Sequence, residues 1–222
     1  MKAPAAKDSG MTKVELLIAT RNEGKVDELR ETFEPLPVAL RFLSDFQNIS
    51  EVAEVGNTYL ENATLKASGY ARQTALTALA DDSGLEVEAL GGRPSVLSAR
   101  LGGDHLTDIE RTRLLLALLD QSGIASRKAQ FVCYMVLYGS LGARKAELSA
   151  PRVLAVTQGI CEGSLAYEPI GKDGFGFDPI FIPNGYTVPF AVLDQAVKRR
   201  ISHRARAAQA MRGQVNLLLH QT

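Results

Sequence analysis

Leu79-Ala80-Asp81-Asp82-Ser83-Gly84-Leu85 is the stretch from which this chain is best read. An apolar run from Ala75 to Ala80 enters two carboxylates. A Ser-Gly pair follows, and then Leu85, Val87 and Ala89 alternate with Glu86 and Glu88. Alternation at period two predicts a half-buried strand after a tight bend. On extended backbone successive side chains point to opposite faces, so only one of Asp81 and Asp82 can face a given cleft. Asp, Ser and Gly are also turn formers, and a polar turn is the plainer reading of the same residues.

To the N-terminal side, Val14 to Ala19 reads as a buried strand. Thr20-Arg21-Asn22-Glu23-Gly24-Lys25 follows, and Val26, Leu29, Phe33 and Leu36 then recur at helical spacing. A strand, a short Gly/Lys loop and a helix offer backbone N–H groups and a positive helix end to a phosphate. It is not a Walker loop, because Ala19 and Val26 stand where that motif needs Gly and Ser or Thr. Pro35 and Pro37 close the helix, and Val38 to Leu43 reads as a strand. Glu51 to Gly56 is an acidic loop, and Thr58 to Arg72 a helix with Leu60, Ala63, Ala67 and Ala71 along one side.

To the C-terminal side, residues 91–103 form a long Gly-rich loop, a length that is often functional. Thr107 and Glu110 form a capping box for a helix whose apolar face is Ile109, Leu115, Leu116 and Leu119. Gln130 to Tyr138 is apolar on both faces and reads as a central strand, with another at Val153 to Gln158. Residues 123–128 and 141–148 read as surface connections. Gly171 to Phe181 places three glycines beside Phe175 and Phe177, a loop able to bring a ring to a flat ligand or an amide to a phosphate. Lys198 to Arg206 is a basic run in which Ser202 suits the N-cap of a last helix.

Composition narrows the classes. Lys plus Arg equals Asp plus Glu at 25 each, so global charge gives no support to a polyanionic partner, and only the 198–212 segment could form a nucleic-acid patch. A membrane helix needs about 20 consecutive apolar residues, and no such run occurs. Cys133 and Cys161 lack metal-type spacing and read as buried reduced thiols, which points to the cytoplasm. Residues 1–11 read as a flexible leader ahead of one two-lobed domain over 12–222.

Six of these segments, in this order, resemble the inosine triphosphate pyrophosphatase family: 19–25, 58–67, 80–85, 98–100, 174–179 and 201–204. The resemblance implies an α/β fold, an elongated mixed sheet with flanking helices and two lobes around a nucleotide cleft. It implies a magnesium-dependent homodimer that hydrolyses ITP, dITP and XTP to the monophosphate and pyrophosphate, with no membrane or nucleic-acid partner. By that resemblance the proton acceptor and metal carboxylate falls on Asp82, and Thr20, Arg21, Asn22, Glu23, Gly24, Lys25 and Lys66 fall on phosphate contacts. Ser83, Phe175, Gly176, Phe177, Asp178, Lys198, His203 and Arg204 fall on nucleotide contacts. A second metal carboxylate falls on Glu54, with Glu51 as the alternative. The chain departs from the family pattern at Ser95, Leu97 and Ala205, and at Glu51-Val52-Ala53-Glu54, where the family often carries adjacent acids; none of these removes an expected catalytic group. Three rivals remain open at this point: a pyrophosphatase for other modified nucleotides, a nucleotide sensor without turnover, and a nucleic-acid binder using residues 198–212.

Overall fold

The computed structural model describes residues 13–140 and 150–220. The expected leader and the connection at 141–148 lie outside the described residues. Six strands form one mixed sheet in the order β2-β1-β3-β4-β5-β6. These are β1 (Val14–Ile18), β2 (Val38–Phe42), β3 (Thr77–Val87), β4 (Lys128–Gly139), β5 (Arg152–Leu165) and β6 (Phe181–Pro183). β1 pairs in parallel with both β2 and β3, and the remaining neighbours pair antiparallel. Parallel neighbours need crossover helices. These are α1 (Glu23–Phe33), between β1 and β2, and α2 (Tyr59–Thr74), between β2 and β3. The other helices are α3 (Asp108–Gln121), α4 (Gln195–Ile201) and α5 (His203–His220).

Three apolar clusters hold the sheet. On one face Leu29 and Phe33 of α1 and Met211 and Val215 of α5 pack against Leu16, Ile18, Leu79 and Met135. On the other, Ala63, Ala67 and Tyr70 of α2 cover Leu17, Ala78, Ala80 and Val136. Farther along β3, β4 and β5, Leu115, Leu116 and Leu119 of α3 join Leu85, Phe131, Phe181 and Phe190. Each fully buried large side chain contributes about 1.5–3 kcal/mol. Leu60 and Ile109, expected on apolar helix faces, are exposed instead. Tyr59 and Ala63 face the sheet from α2.

The expected bend at Ser83-Gly84 is absent, because β3 runs unbroken through Asp81, Asp82, Ser83 and Gly84 against β4. Gly84 is there for clearance. A Cβ at this position would collide with the Ser95 carbonyl and the Ser98 hydroxyl. The turn Ser95–Arg100 therefore lies directly on the strand, and Ser98 Oγ accepts the Leu85 N–H at 2.8 Å.

Candidate active site

The cleft of about 330 Å³ beside β3 is lined from the β1–α1 loop, α2, β3, the turn at Ser98, α3, the Phe175 loop and the start of α5. Asp81 and Asp82 diverge as extended backbone requires. Asp82 lines this cleft and Asp81 does not.

Asp82 meets residues of α2. Asn62 donates to its Oδ2 at 3.1 Å, and Lys66 Nζ lies 3.6 Å from its Oδ1. The same ammonium stands 3.2 Å from Glu54 Oε1. Arg100 holds the acidic loop in place through the Glu54 carbonyl at 3.1 Å. Burial pushes the Asp82 carboxyl above the ordinary carboxylate range. Lys66 opposes the rise and the Glu54 charge adds to it. Two carboxylates converging on one cation make an oxygen donor set that suits a hard divalent ion, which takes one or two carboxylates and keeps several waters. Glu51 also lines the cleft, but Glu54 is the residue that shares Lys66 with Asp82. Among the described residues no group of three or more metal-type side chains forms a closed cage.

Asp81 sits on the other side of β3. Its Oδ2 accepts from Lys25 Nζ at 2.9 Å and Arg204 Nε at 3.3 Å. Burial alone would raise this carboxyl, but Lys25 and Arg204 outweigh it and hold it well below the usual range. Arg204 also donates to Glu28 at 2.9 Å and to Ser83 Oγ at 3.0 Å. Glu28 lies 3.6 Å from Lys198, which donates to Asp178 at 2.6 Å. Three cations, Lys25, Lys198 and Arg204, and three carboxylates, Glu28, Asp81 and Asp178, thus form one network from α1, β3, the Phe175 loop, α4 and α5.

The remaining expected residues take different positions. Thr20, Arg21, Asn22 and Lys25 border the cleft at the N-terminus of α1. Asn22 caps that helix, its side chain accepting the Lys25 N–H at 3.0 Å, and Thr20 accepts the Asn22 N–H. Arg21 reaches the Ile49 carbonyl at 2.9 Å. Glu23 does not join them. It lines a separate surface groove with Asp27 and Arg30, because the first helical turn rotates it away. Gly24 is also off the cleft lining, and the Phe175 ring packs on it so closely that a Cβ would come within 2.9 Å. The Phe175 ring is half-buried, with Lys198 Nζ 4.8 Å and Arg204 Cζ 5.3 Å from its centroid. Phe177 belongs to the core cluster with Ile180 and Phe181 and closes the cleft from behind. Asp178 braces the loop, accepting from Lys198 and from the Phe175 N–H. His203 stacks on Phe131 at 4.6 Å and is held below its ordinary pKa, first by burial and then by Arg204.

The basic run is not a free patch. Lys198 and Arg204 are buried and paired, Arg199 pairs with Glu31, and Arg206 donates to the Ile160 carbonyl. Sequence reasoning missed Asp81, Glu28, Asn62 and Arg100 as members of the site. Glu28 carried one signal, its place one helical turn after Lys25 on the same face.

The model of the Ham1 family matches residues 16–214 of this chain. A protein named dITP/XTP pyrophosphatase from Bacillus anthracis is 38% identical over 197 residues, covering 89% of this chain and 94% of the relative. Another of that name from Syntrophobacter fumaroxidans is 44% identical over 195 residues, covering 86% of this chain and 78% of the relative. The solved HAM1 protein from Coxiella burnetii superposes with a TM-score of 0.80 at 35% identity, covering 92% of this chain and 99% of that one.

Proposed function

The chain belongs to the Ham1 family, and from that premise we propose that it hydrolyses the deaminated purine triphosphates ITP, dITP and XTP to the monophosphate and pyrophosphate. The observation that carries the reading is the convergence of Asp82 and Glu54 on Lys66, in a cleft that also presents the half-buried Phe175 ring.

Each end of such a substrate has a counterpart. Lys25, Lys66 and the N-terminus of α1 face the triphosphate, whose charge must be offset before a nucleophile approaches. Phe175 offers a stacking face to the purine. Asp82 orients a water and takes its proton at Oδ1, since Asn62 already occupies Oδ2. Its raised proton affinity suits a base. The bond between the α and β phosphates breaks, water supplies the new oxygen, and pyrophosphate leaves. Magnesium is the cofactor of this reading, held by Glu54 and Asp82. When bound it supplies positive charge on the phosphate oxygens. Base choice rests on Arg204, whose N–H groups suit the six-position oxygen of hypoxanthine and xanthine and meet another donor in adenine. The working state of this reading is a cytoplasmic homodimer. The buried free thiols Cys133 and Cys161 accord with a reducing compartment.

The test is product identity. Incubation with ITP and magnesium should yield IMP and pyrophosphate, with phosphate detected only after added inorganic pyrophosphatase. Direct phosphate release, with IDP as product, would reject the reading.

A further inference from the structure

The loop that carries Phe175 is held by α3, a helix to which neither sequence nor family resemblance gave a functional role. The Gly176 N–H donates to Asp108 Oδ2 at 2.7 Å, and the Thr112 hydroxyl donates to the Gly176 carbonyl at 3.3 Å. Asp108 and Thr112 lie four residues apart, so one helix face grips both polar groups of a single peptide residue. The Cβ direction of Gly176 opens onto space, with no described atom within 4 Å. On the inner side Asp178 takes the Phe175 N–H at 2.9 Å. The backbone under the ring is therefore strung between Asp178 and α3.

α3 is a firm support. Leu115 and Leu119 are fully buried in the core. The buried Arg111 ties the helix to the loop before it, donating to the Leu101, Gly103 and Leu106 carbonyls at 2.6, 3.2 and 2.9 Å. By contrast Lys25 and Lys66 stand on α1 and α2, and their ion-pair partners are Asp81, Glu54 and Asp82. The ring also rests on Gly24 of α1, but α3, which holds the loop backbone, carries neither phosphate-facing lysine.

We propose that Asp108 and Thr112 are positioning residues for the Phe175 ring, setting affinity for the base end of the nucleotide and leaving the triphosphate end unaffected. This rests on the proposed stacking of the purine on Phe175. Asp108 is exposed, so its bond to Gly176 is taken at the strength of an ordinary one. Asp108→Ala should then raise KM for ITP about two- to tenfold. The effect on kcat should be small, since the chemistry lies at Asp82. Adding Thr112→Val should raise KM further. Asp108→Asn keeps an acceptor oxygen and should restore KM.

Two measurements decide it. Inhibition by tripolyphosphate, which has no base, should be unchanged in Asp108→Ala. Amide hydrogen exchange of the segment 171–181, followed in the free protein, should quicken in Asp108→Ala and return toward normal in Asp108→Asn. Unchanged exchange, a parallel loss of ITP and tripolyphosphate affinity, or an Asn variant as impaired as Ala would each overturn the proposal. Failure of the wild-type protein to turn over ITP would instead reject the proposed function, and the exchange measurement would still decide the positioning role.

Discussion

Replacing either acid of the Asp81–Asp82 pair by asparagine should produce opposite signatures. Asp82 is buried with its charged form disfavoured, and it shares the Lys66 ammonium with Glu54. A group whose folded pKa is raised loses stability on ionising, so Asp82→Asn should match or exceed the wild type in stability at pH 7.5. Asn62 can still donate to the amide oxygen, which limits the loss of contacts. Turnover should fall at least ~10²-fold, the scale for a positioned general base. Asp81 is the reverse case, a fully buried carboxylate whose pKa is depressed by Lys25 and Arg204. Removing one member of a buried pair costs about 3–5 kcal/mol. The low end applies, since Arg204 retains Glu28 and Lys25 borders the cleft. In a chain of this size about 3 kcal/mol lowers Tm by roughly 6–12 °C. Its turnover should also drop, through displaced Lys25 and Arg204, so the side chain that faces away from the cleft is not the dispensable one. Thermal melts and ITP turnover on the two single mutants, in magnesium-free and magnesium-containing buffer, provide the comparison. If Asp82→Asn melted as low as Asp81→Asn, or turned over normally, the division between a reactive and a supporting acid would be wrong.

Lys25→Ala and Lys66→Ala should weaken triphosphate binding about ten- to a hundredfold without regard to base, as loss of a charge-assisted hydrogen bond predicts. A change confined to the ITP-over-ATP ratio would place either lysine at the base instead. Arg204→Ala should narrow the ITP-to-ATP ratio more than the ITP-to-GTP ratio, since guanine also carries the six-position oxygen. It should also destabilise the protein by about 3–5 kcal/mol, because Asp81 and Glu28 lose a buried partner. Equal falls on all three nucleotides would make it purely supporting. Stability should decline below pH ~6.5, since the unfolded His203 takes up a proton that the buried ring resists, with a slope of about 1.4 kcal/mol per pH unit. A His203→Gln variant should lose that slope, measured by urea titration at pH 7.5 and 5.5, and an unchanged slope would assign the acid sensitivity elsewhere.

Much of this arrangement was readable from residue order. The strand and helix at Val14 and Lys25, the helix from Thr58, the capping box at Thr107 and the N-cap at Ser202 all depend on neighbours within a few positions, and they stand where local spacing put them. Glycine misled where it served clearance. Gly84 looked like a turn, and β5 was expected to end at Gln158, just before Gly159. Yet β5 runs on to Leu165. A Cβ at Gly159 would strike the His203 carbonyl of α5, and one at Gly163 the Ile182 carbonyl of β6. The ion network was out of reach for a similar reason. Glu28 reads as an ordinary helix-surface acid until α5 brings Arg204 to it across 176 positions of sequence. Composition cannot show that Lys198, Arg199 and Arg204 spend their charge internally, because their partners lie on α1, β3 and the Phe175 loop.

The most direct test of the central claim is kcat/KM for pyrophosphate release from ITP, XTP and dITP against ATP and GTP, with and without magnesium. The account predicts magnesium-dependent turnover of the first three and discrimination against ATP by roughly 10⁴–10⁵, the range for a site built to hydrogen-bond the correct substrate. Comparable values for ATP and ITP, or full activity after chelation of divalent ions, would contradict it.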